Sequence, residues 1–543
     1  MSKGKLVEMG NKTQSNVIKG VVKAADAVKV TLGPAGKCVA ISSDYGSPEI
    51  TRDGATVAKS IQFKDSELNI GAQLVKKAAS LTEESSGDGT STCSILIKEL
   101  CLKGQKALNA GSNVNELKSG MLKAGEWVKD FIKKNSTEIG DDLEKIRRVA
   151  TISANNDPEV GDLVVQCMSK VGIDGVITAD MASGLDTIID VTTGMKLNRG
   201  WTSPQYVTSP EDGKCEMNNP YIITVGEKLS SVSQILPLIE QIMKTGRPFL
   251  IVCDDIDEVV NMALIVNTLQ GAIRCCVVKG IDFGDSRENI MQDIAIATGG
   301  TYICEKNNVT LSEATLEHLG GASKVVVSKD NTIIYEGMGN SDQIKGRVSI
   351  LKARLDDPNV SNYEKTKFSE RVANLSGGIG IIKAGGATEA EKINRKATIE
   401  DAILASKSAL SEGCVPGGGY IYLKASQAVK KDSAFWKGLS EDEIAGANIV
   451  FSSLPVITKT VAENSGVAGD VVLNTVLKST KPSYGYDAKT KKYCDLAAAG
   501  ILDSSKVIRV ALENSISTAS MILLIDCTIV DEEEEKESGE MLK

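Results

Sequence analysis

Histidine is almost missing from this chain: His318 stands alone among 543 residues. A zinc cluster with histidine ligands is thereby excluded, and a histidine-based triad would have to rest on one residue in Glu313 to Leu319, a stretch that reads as a solvated helix. Twelve cysteines are present but none forms a CxxC pair, and apart from Cys275-Cys276 they are scattered singly. They read as reduced, mostly buried thiols rather than a disulfide or metal framework. There is no basic excess; the formal net charge is −9, the wrong sign for a general nucleic-acid binder. No run of about eighteen apolar residues is found, and Met1 to Lys12 lacks the apolar segment of a signal peptide, so a soluble, cytoplasmic protein without a membrane partner is expected. A GxxxxGK[ST] phosphate loop is absent too. Acid–base work must then fall to carboxylates.

What is present is a long chain with 42% hydrophobic residues, enough for two or three domains with cores of their own. From Lys12 to Val149 apolar residues recur at helical spacing through Val17 to Val30, Gly71 to Leu81 and Leu117 to Ile132, with a strand-like hairpin at Lys37 to Ile50. Between about 195 and 375 the pattern alternates. Phe249 to Val252, Arg274 to Val278 and Tyr302 to Cys304 read as strands, and Asp257 to Gln270 and Arg287 to Ala297 as helices. After Gly413 helical patterns return and end in the strand-like Met521 to Val530. A helical domain split around an α/β insertion follows. Gly194, Gly377-Gly378 and Gly413 mark the joints, as hinges or as ordinary turns. The acidic Asp531 to Glu540 reads as a solvated tail.

The chemistry concentrates in Gly87-Asp88-Gly89-Thr90-Ser91-Thr92, which combines two glycines, a carboxylate and three hydroxyls just ahead of the helical Cys93 to Leu100. A helix N-terminus favours anions, glycine lets backbone approach a phosphate, and a carboxylate beside it suits Mg²⁺. The competing reading is a plain helix start capped by Asp88 or Thr90. Three segments qualify to converge with it: Thr31 to Gly36, Thr51 to Gly54 with Asp53, and Gly417 to Gly419. A fourth is Glu400-Asp401, read as the start of a helix through Ile403 to Leu410. Two or three carboxylates around a Mg-bound triphosphate would give hydrolysis without histidine.

In Ser233 to Thr245 the apolar residues Ile235, Leu236, Leu238, Ile239, Ile242 and Met243 spread wider around the helix than core packing alone requires. Leu236 and Met243 are left over for a partner. Asp257 to Gln270 shows the same excess.

The ordered motifs TLGPAGK, ITRDGATVAKSI, GDGTSTC, TISANND, VGIDGVIT, DFGDSRENIMQDIAIATGG, ATIEDAI, PGGG, YGYDA and GILDSSKV resemble a GroEL-type group I chaperonin from about Gly10 to Thr528. The resemblance implies a chaperonin fold with three parts. These are an α-helical equatorial domain at 1–134 and 412–543, a small α+β intermediate domain at 135–192 and 380–411, and an α/β apical domain at 193–379. It also implies seven-membered homo-oligomeric rings, non-native protein clients and a lid-like co-chaperonin, driven by ATP with Mg²⁺ and K⁺. A ring-forming binding scaffold with a weak or uncoupled ATPase is the alternative.

By position in that family, Thr31, Leu32, Gly33 and Pro34 contact ATP, and the carbonyls of Thr31 and Arg52 hold K⁺. Asp88 binds Mg²⁺ with Asp401 nearby, and Gly89, Thr90, Ser91 and Thr92 cradle phosphate. Asp53 and Asp401 position and activate water. Ile152, Ser153, Gly418, Asp487, Ala488, Ile501 and Asp503 face base and ribose, although Asp487 stands where many members have Asn. Trp201, Tyr206, Leu236, Ile239, Ile265 and Val266 would bind client or co-chaperonin, with Gln205 and Asn261 where the family tends to be apolar. Arg199 and Glu389 retain an inter-subunit pair. Thr398 replaces the usual basic partner of Asp157, Gln14 and Ala468 replace charged residues that join two rings, and an acidic end replaces the Gly-Met tail. A divergent member is indicated.

Overall fold

The computed structural model describes residues 5–42, 48–140, 142–154, 156–172, 175–209, 213–280, 284–307, 309–355, 364, 367–368, 371–372, 374–375 and 378–531. The acidic run after residue 531, Gly377, and the centre of the hairpin at 43–47 lie outside them. Contacts divide the chain into two compact units, one of Met1–Val165, Ala179–Ile188 and Lys383–Lys543, the other of Gln166–Thr178 and Ile189–Ile382.

The first unit is helical. Helices Asn11–Lys29, Ser66–Ser86, Thr90–Asn109 and Val114–Lys134 bury the apolar positions that their spacing marks, among them Val17, Val21, Val75, Leu96, Leu100, Leu117, Met121 and Val128. The C-terminal helix Ser505–Leu523 is buried nearly all round, which suits a central helix packed by the others. It takes up Met521 to Leu523, which the sequence placed in a strand; the terminal strand is Cys527–Asp531, antiparallel to Lys5–Met9 with Lys5 opposite Asp531. The expected hairpin pairs Val39–Ile41 with Glu49–Thr51. Glu441–Asn464 is long and apolar enough on average to cross a membrane, although polar and charged residues interrupt it and it is no run of eighteen apolar ones. It is two helices, Glu441–Ser453 and Val456–Asn464, broken at Leu454-Pro455 and largely buried in the helical core.

The second unit is built on a mixed sheet. Tyr221–Leu229, Phe249–Ile256 and Cys275–Lys279 are parallel neighbours, linked by the crossover helices Val232–Thr245 and Glu258–Leu269. Beyond Tyr221–Leu229 the sheet continues antiparallel through Gly320–Val327, Thr332–Gly337 and Ile188–Leu197. The central strands read as unbroken apolar runs because both faces are covered: Leu250, Ile251, Val252, Cys276 and Val277 are all fully buried.

Two expectations change, those for His318 and Gly194. His318 sits on a short 3₁₀ turn, Leu316–His318, rather than a helix, and its Nδ1 faces the Thr315 backbone N–H at 3.1 Å, which is a structural role. Gly194 lies inside strand Ile188–Leu197, where a Cβ would come within 2.1 Å of Ile379 Cδ1, so close packing rather than hinge motion accounts for it. Gly413, with φ 80°, terminates the helix Glu389–Glu412.

Candidate functional site

The helical unit carries a cavity of about 210 Å³, against the roughly 10–15 Å³ that one water needs, so it has room for a ligand of many atoms. Its wall includes every residue assigned above to nucleotide, metal or water: Thr31 to Pro34, Arg52, Asp53, Asp88 to Thr92, Ile152, Ser153, Asp401, Gly418, Asp487, Ala488, Ile501 and Asp503.

The floor is the turn between Ser66–Ser86 and Thr90–Asn109. Gly87 ends the first helix at φ 77° and Gly89 begins the second at φ 93°, conformations that side chains resist. The second helix has no side-chain cap, contrary to the reading in which Asp88 or Thr90 closes it. Instead Asp88 Oδ1 accepts the Gly89 N–H at 2.5 Å and its Oδ2 accepts the Ser153 hydroxyl at 3.0 Å. The first turn, Thr90 to Thr92, thus lines the cavity with no side-chain cap on its N–H groups and the positive end of a 20-residue helix behind it.

Asp53 caps the short helix Gly54–Ser60, accepting from the Ala55 and Thr56 N–H groups and the Thr56 hydroxyl at 3.1, 2.7 and 2.6 Å. Asp401 lies in the middle of the 24-residue helix Glu389–Glu412, not at a helix start. No donor from a described residue reaches its carboxylate. Burial first, then the charges of Asp88 and Asp53, push its pKa well above the ordinary carboxylate value. Asp88 is raised as well, again chiefly by burial, with the Gly89 N–H and Ser153 hydroxyl opposing. Mutually repelling carboxylates with no cationic partner among the described residues are a fit for a divalent ion. Among the described residues no three His, Cys, Asp or Glu side chains form a metal cage. Mg²⁺ does not need one, since it takes one or two carboxylates together with phosphate oxygens and water. The carbonyls of Thr31 and Arg52 accept no hydrogen bond from described residues, which leaves them free for a monovalent cation. The Arg52 guanidinium donates through Nη2 to the carbonyls of Gly33 and Pro34 at 3.3 and 3.4 Å and holds that loop against the cavity.

At the other end, Asp503 Oδ2 accepts the Gly418 N–H at 3.0 Å. Burial and then the Asp88 charge raise the Asp503 carboxyl to about 6. Gly418, at φ 67°, has open space where a Cβ would stand, so its backbone faces the ligand directly. Asp487 lines the wall, but its oxygens are taken by the Lys489 N–H at 2.9 Å and the Thr490 hydroxyl at 2.6 Å in its own hairpin. The sequence reading missed Asn156, Ile457, Val461, Tyr486 and Val507 in this wall. Ile457 and Val461 were legible in principle as an i, i+4 pair on Val456–Asn464.

The surface expected to bind clients is only partly available. Leu236 and Val266 are exposed, and so are Met243, Val259, Met262 and Leu269 on the same two helices, Val259 reaching 78% exposure. Tyr206, Ile239 and Ile265 must be corrected: they are 1%, 6% and 2% exposed and belong to the core of the sheet unit. Trp201 is half-buried, with its indole N–H donated to the Gly213 carbonyl at 3.2 Å. The polar Asn261 is explained by Tyr206, whose hydroxyl donates to Asn261 Oδ1 at 2.9 Å.

A split helical unit with this cavity and a sheet unit with an apolar helical face define the architecture. The sequence model of the TCP-1/cpn60 chaperonin family matches residues 24–533, and the chain belongs to that family. Among solved structures it is similar to the chaperonin gp146 from the bacteriophage EL 2 (Pseudomonas aeruginosa), determined in the presence of ATP-BeFx. The identity is 20%, the TM-score 0.72, and the match covers 97% of this chain and 100% of that one. The chaperonin fold is therefore the fold of this chain.

Proposed function

We propose that this chaperonin hydrolyses ATP in the cavity of its helical unit and uses the cycle to enclose and release non-native polypeptides. The observation that carries the reading is the convergence of Asp53, Asp88 and Asp401 on an uncapped helix N-terminus. Residues Gly89 to Thr92 would bind the phosphates through backbone N–H and hydroxyl groups, and Gly418, Asp503, Ile152, Ser153, Asp487, Ala488 and Ile501 the nucleoside. Asp88 with Asp401 would hold Mg²⁺, which when bound screens the phosphate charge and the repulsion between these carboxylates. Carbonyls of Thr31 and Arg52 would hold K⁺. Asp401, which accepts no hydrogen bond from a described residue, is free to orient a water, while Asp53 is fixed by its own cap and serves position rather than mobility.

The reading extends to three domains, with equatorial segments 1–134 and 412–543, intermediate segments 135–192 and 380–411, and apical segment 193–379. It includes seven-membered rings, a co-chaperonin lid and a client surface around Leu236, Met243, Val259 and Val266. Apolar surface of low specificity suits unfolded chains, which share exposed apolar groups rather than a sequence.

The test is ATP turnover and client refolding by the wild type and Asp401→Ala, with and without Mg²⁺. We expect the variant to bind ATP, to lose turnover by at least about 100-fold and to stop refolding. Refolding that survives the loss of hydrolysis would favour a binding scaffold with an uncoupled ATPase and reject this reading.

A further inference from the structure

Asp487 stands at the nucleoside end of the cavity, yet both of its oxygens are committed to its own hairpin. Another residue of that wall is differently placed. Asn156 lines the same wall and has φ 68°, a left-handed conformation that L side chains adopt at a cost and that Asn tolerates better than most. Two bonds impose it: the Asn156 N–H is donated to the Thr151 carbonyl at 2.8 Å, and the Asn156 carbonyl accepts Lys489 Nζ at 3.1 Å. Its backbone is thus clamped from both sides. Its side-chain amide makes no hydrogen bond with any described residue. A clamped, strained residue with an unspent donor and acceptor beside Ile152, Ala488 and Ile501 is placed to read a flat heterocycle held between apolar walls.

We propose that Asn156 is the base-reading residue of the cavity and gives it a preference for adenine, with Lys489 as the positioning residue that holds it. An amide matches the N6/N7 edge of adenine, which offers an amino donor next to a ring-nitrogen acceptor. The O6/N7 edge of guanine offers two acceptors and can satisfy only half of the amide. The inference rests on the nucleotide reading of the cavity given above.

The experiment measures binding of ATP and of GTP, each with Mg²⁺, to the full-length wild type, Asn156→Gly and Lys489→Met. Glycine tolerates the left-handed backbone, so Asn156→Gly should melt where the wild type does. The expected result is a preference of the wild type for ATP that falls by about tenfold or more in Asn156→Gly, GTP affinity staying nearly constant. Lys489→Met should lower the preference less. An unchanged ATP-to-GTP ratio in Asn156→Gly, or an equal loss of both nucleotides, overturns the assignment while leaving the cavity a nucleotide site. Failure of the wild type to bind either nucleotide overturns the nucleotide reading itself, and this inference with it.

Discussion

Ser153 donates its hydroxyl to Asp88 Oδ2 at 3.0 Å, so the helix Leu143–Ser153 is tied at its last residue to the carboxylate in the turn that opens Thr90–Asn109. That hydrogen bond opposes the burial that raises the Asp88 pKa and keeps the carboxylate available to a cation. In Ser153→Ala the Mg²⁺ concentration for half-maximal ATP turnover should rise by about three- to tenfold while the saturated rate changes little. A magnesium titration of turnover checks this, and an unchanged midpoint would remove Ser153 from the metal's support.

Asp503 gives a pH dependence with a definite sign. Its folded-state pKa, about 6, lies above the ordinary aspartate value of 3.8. The folded protein therefore holds a proton that the unfolded chain has lost between those values, and stability falls as pH rises through that window. Asp503→Asn, which cannot ionise, should be more stable than the nucleotide-free wild type at pH 8 by up to ~3 kcal/mol, the gap closing as pH falls toward 4. Melting curves at pH 4, 6 and 8 without nucleotide measure it. A constant gap would mean that the carboxyl titrates normally.

Glu412 should show the opposite sign. Arg509 grips it with Nη2 to Oε1 at 2.6 Å and Nε to Oε2 at 2.9 Å, and these bonds hold its pKa below the ordinary value. The stability it contributes is present above the unfolded-state value and disappears as pH falls through the folded one. Glu412→Gln should cost about 1–3 kcal/mol at pH 7, measured by denaturant unfolding, and nearly nothing in strong acid.

On the sheet unit, exposure separates binding from folding. Val259→Ser and Met243→Ser should weaken capture of a denatured client severalfold without lowering the melting temperature, because both side chains stand in solvent. Ile239→Ser should instead destabilise the unit by about 2–5 kcal/mol, since it removes a core side chain and buries a hydroxyl. A folded Ile239→Ser protein with selectively lost client binding would restore Ile239 to the surface.

The helices with strong apolar period were legible in the sequence, Val114–Lys134 and Thr90–Asn109 among them, as was the α/β character of the sheet unit. Asp401 was misplaced because residues 389–400 of its helix are mostly polar and lack an apolar stripe to announce them. That helix starts instead at Thr388, whose hydroxyl accepts the Glu391 N–H at 3.2 Å. The cap at Gly89 was hidden for another reason: a backbone turn through positive φ leaves no trace in residue spacing. Tyr206, Ile239 and Ile265 were assigned by motif position. Position in a motif does not say which side of an element packs, whereas the inward stripe of Ile235, Leu238, Ile239 and Ile242 does.

The pairing of Lys5–Met9 with Cys527–Asp531 sets an order of events during synthesis. Most of the sheet unit is contiguous from Ile189 to Ile382 and has its partners as soon as that stretch emerges. The helical unit must wait for its central helix, Ser505–Leu523, and for the strand that zips its two ends together. At roughly 5–20 residues per second that delay is on the order of half a minute, during which the apolar faces of Asn11–Lys29 and Ser66–Ser86 lack their final cover. Nascent chains stalled before residue 500 should therefore yield a protease-resistant sheet unit with N-terminal helices that are still cut. The half of the molecule that carries the cavity is born dependent on shelter.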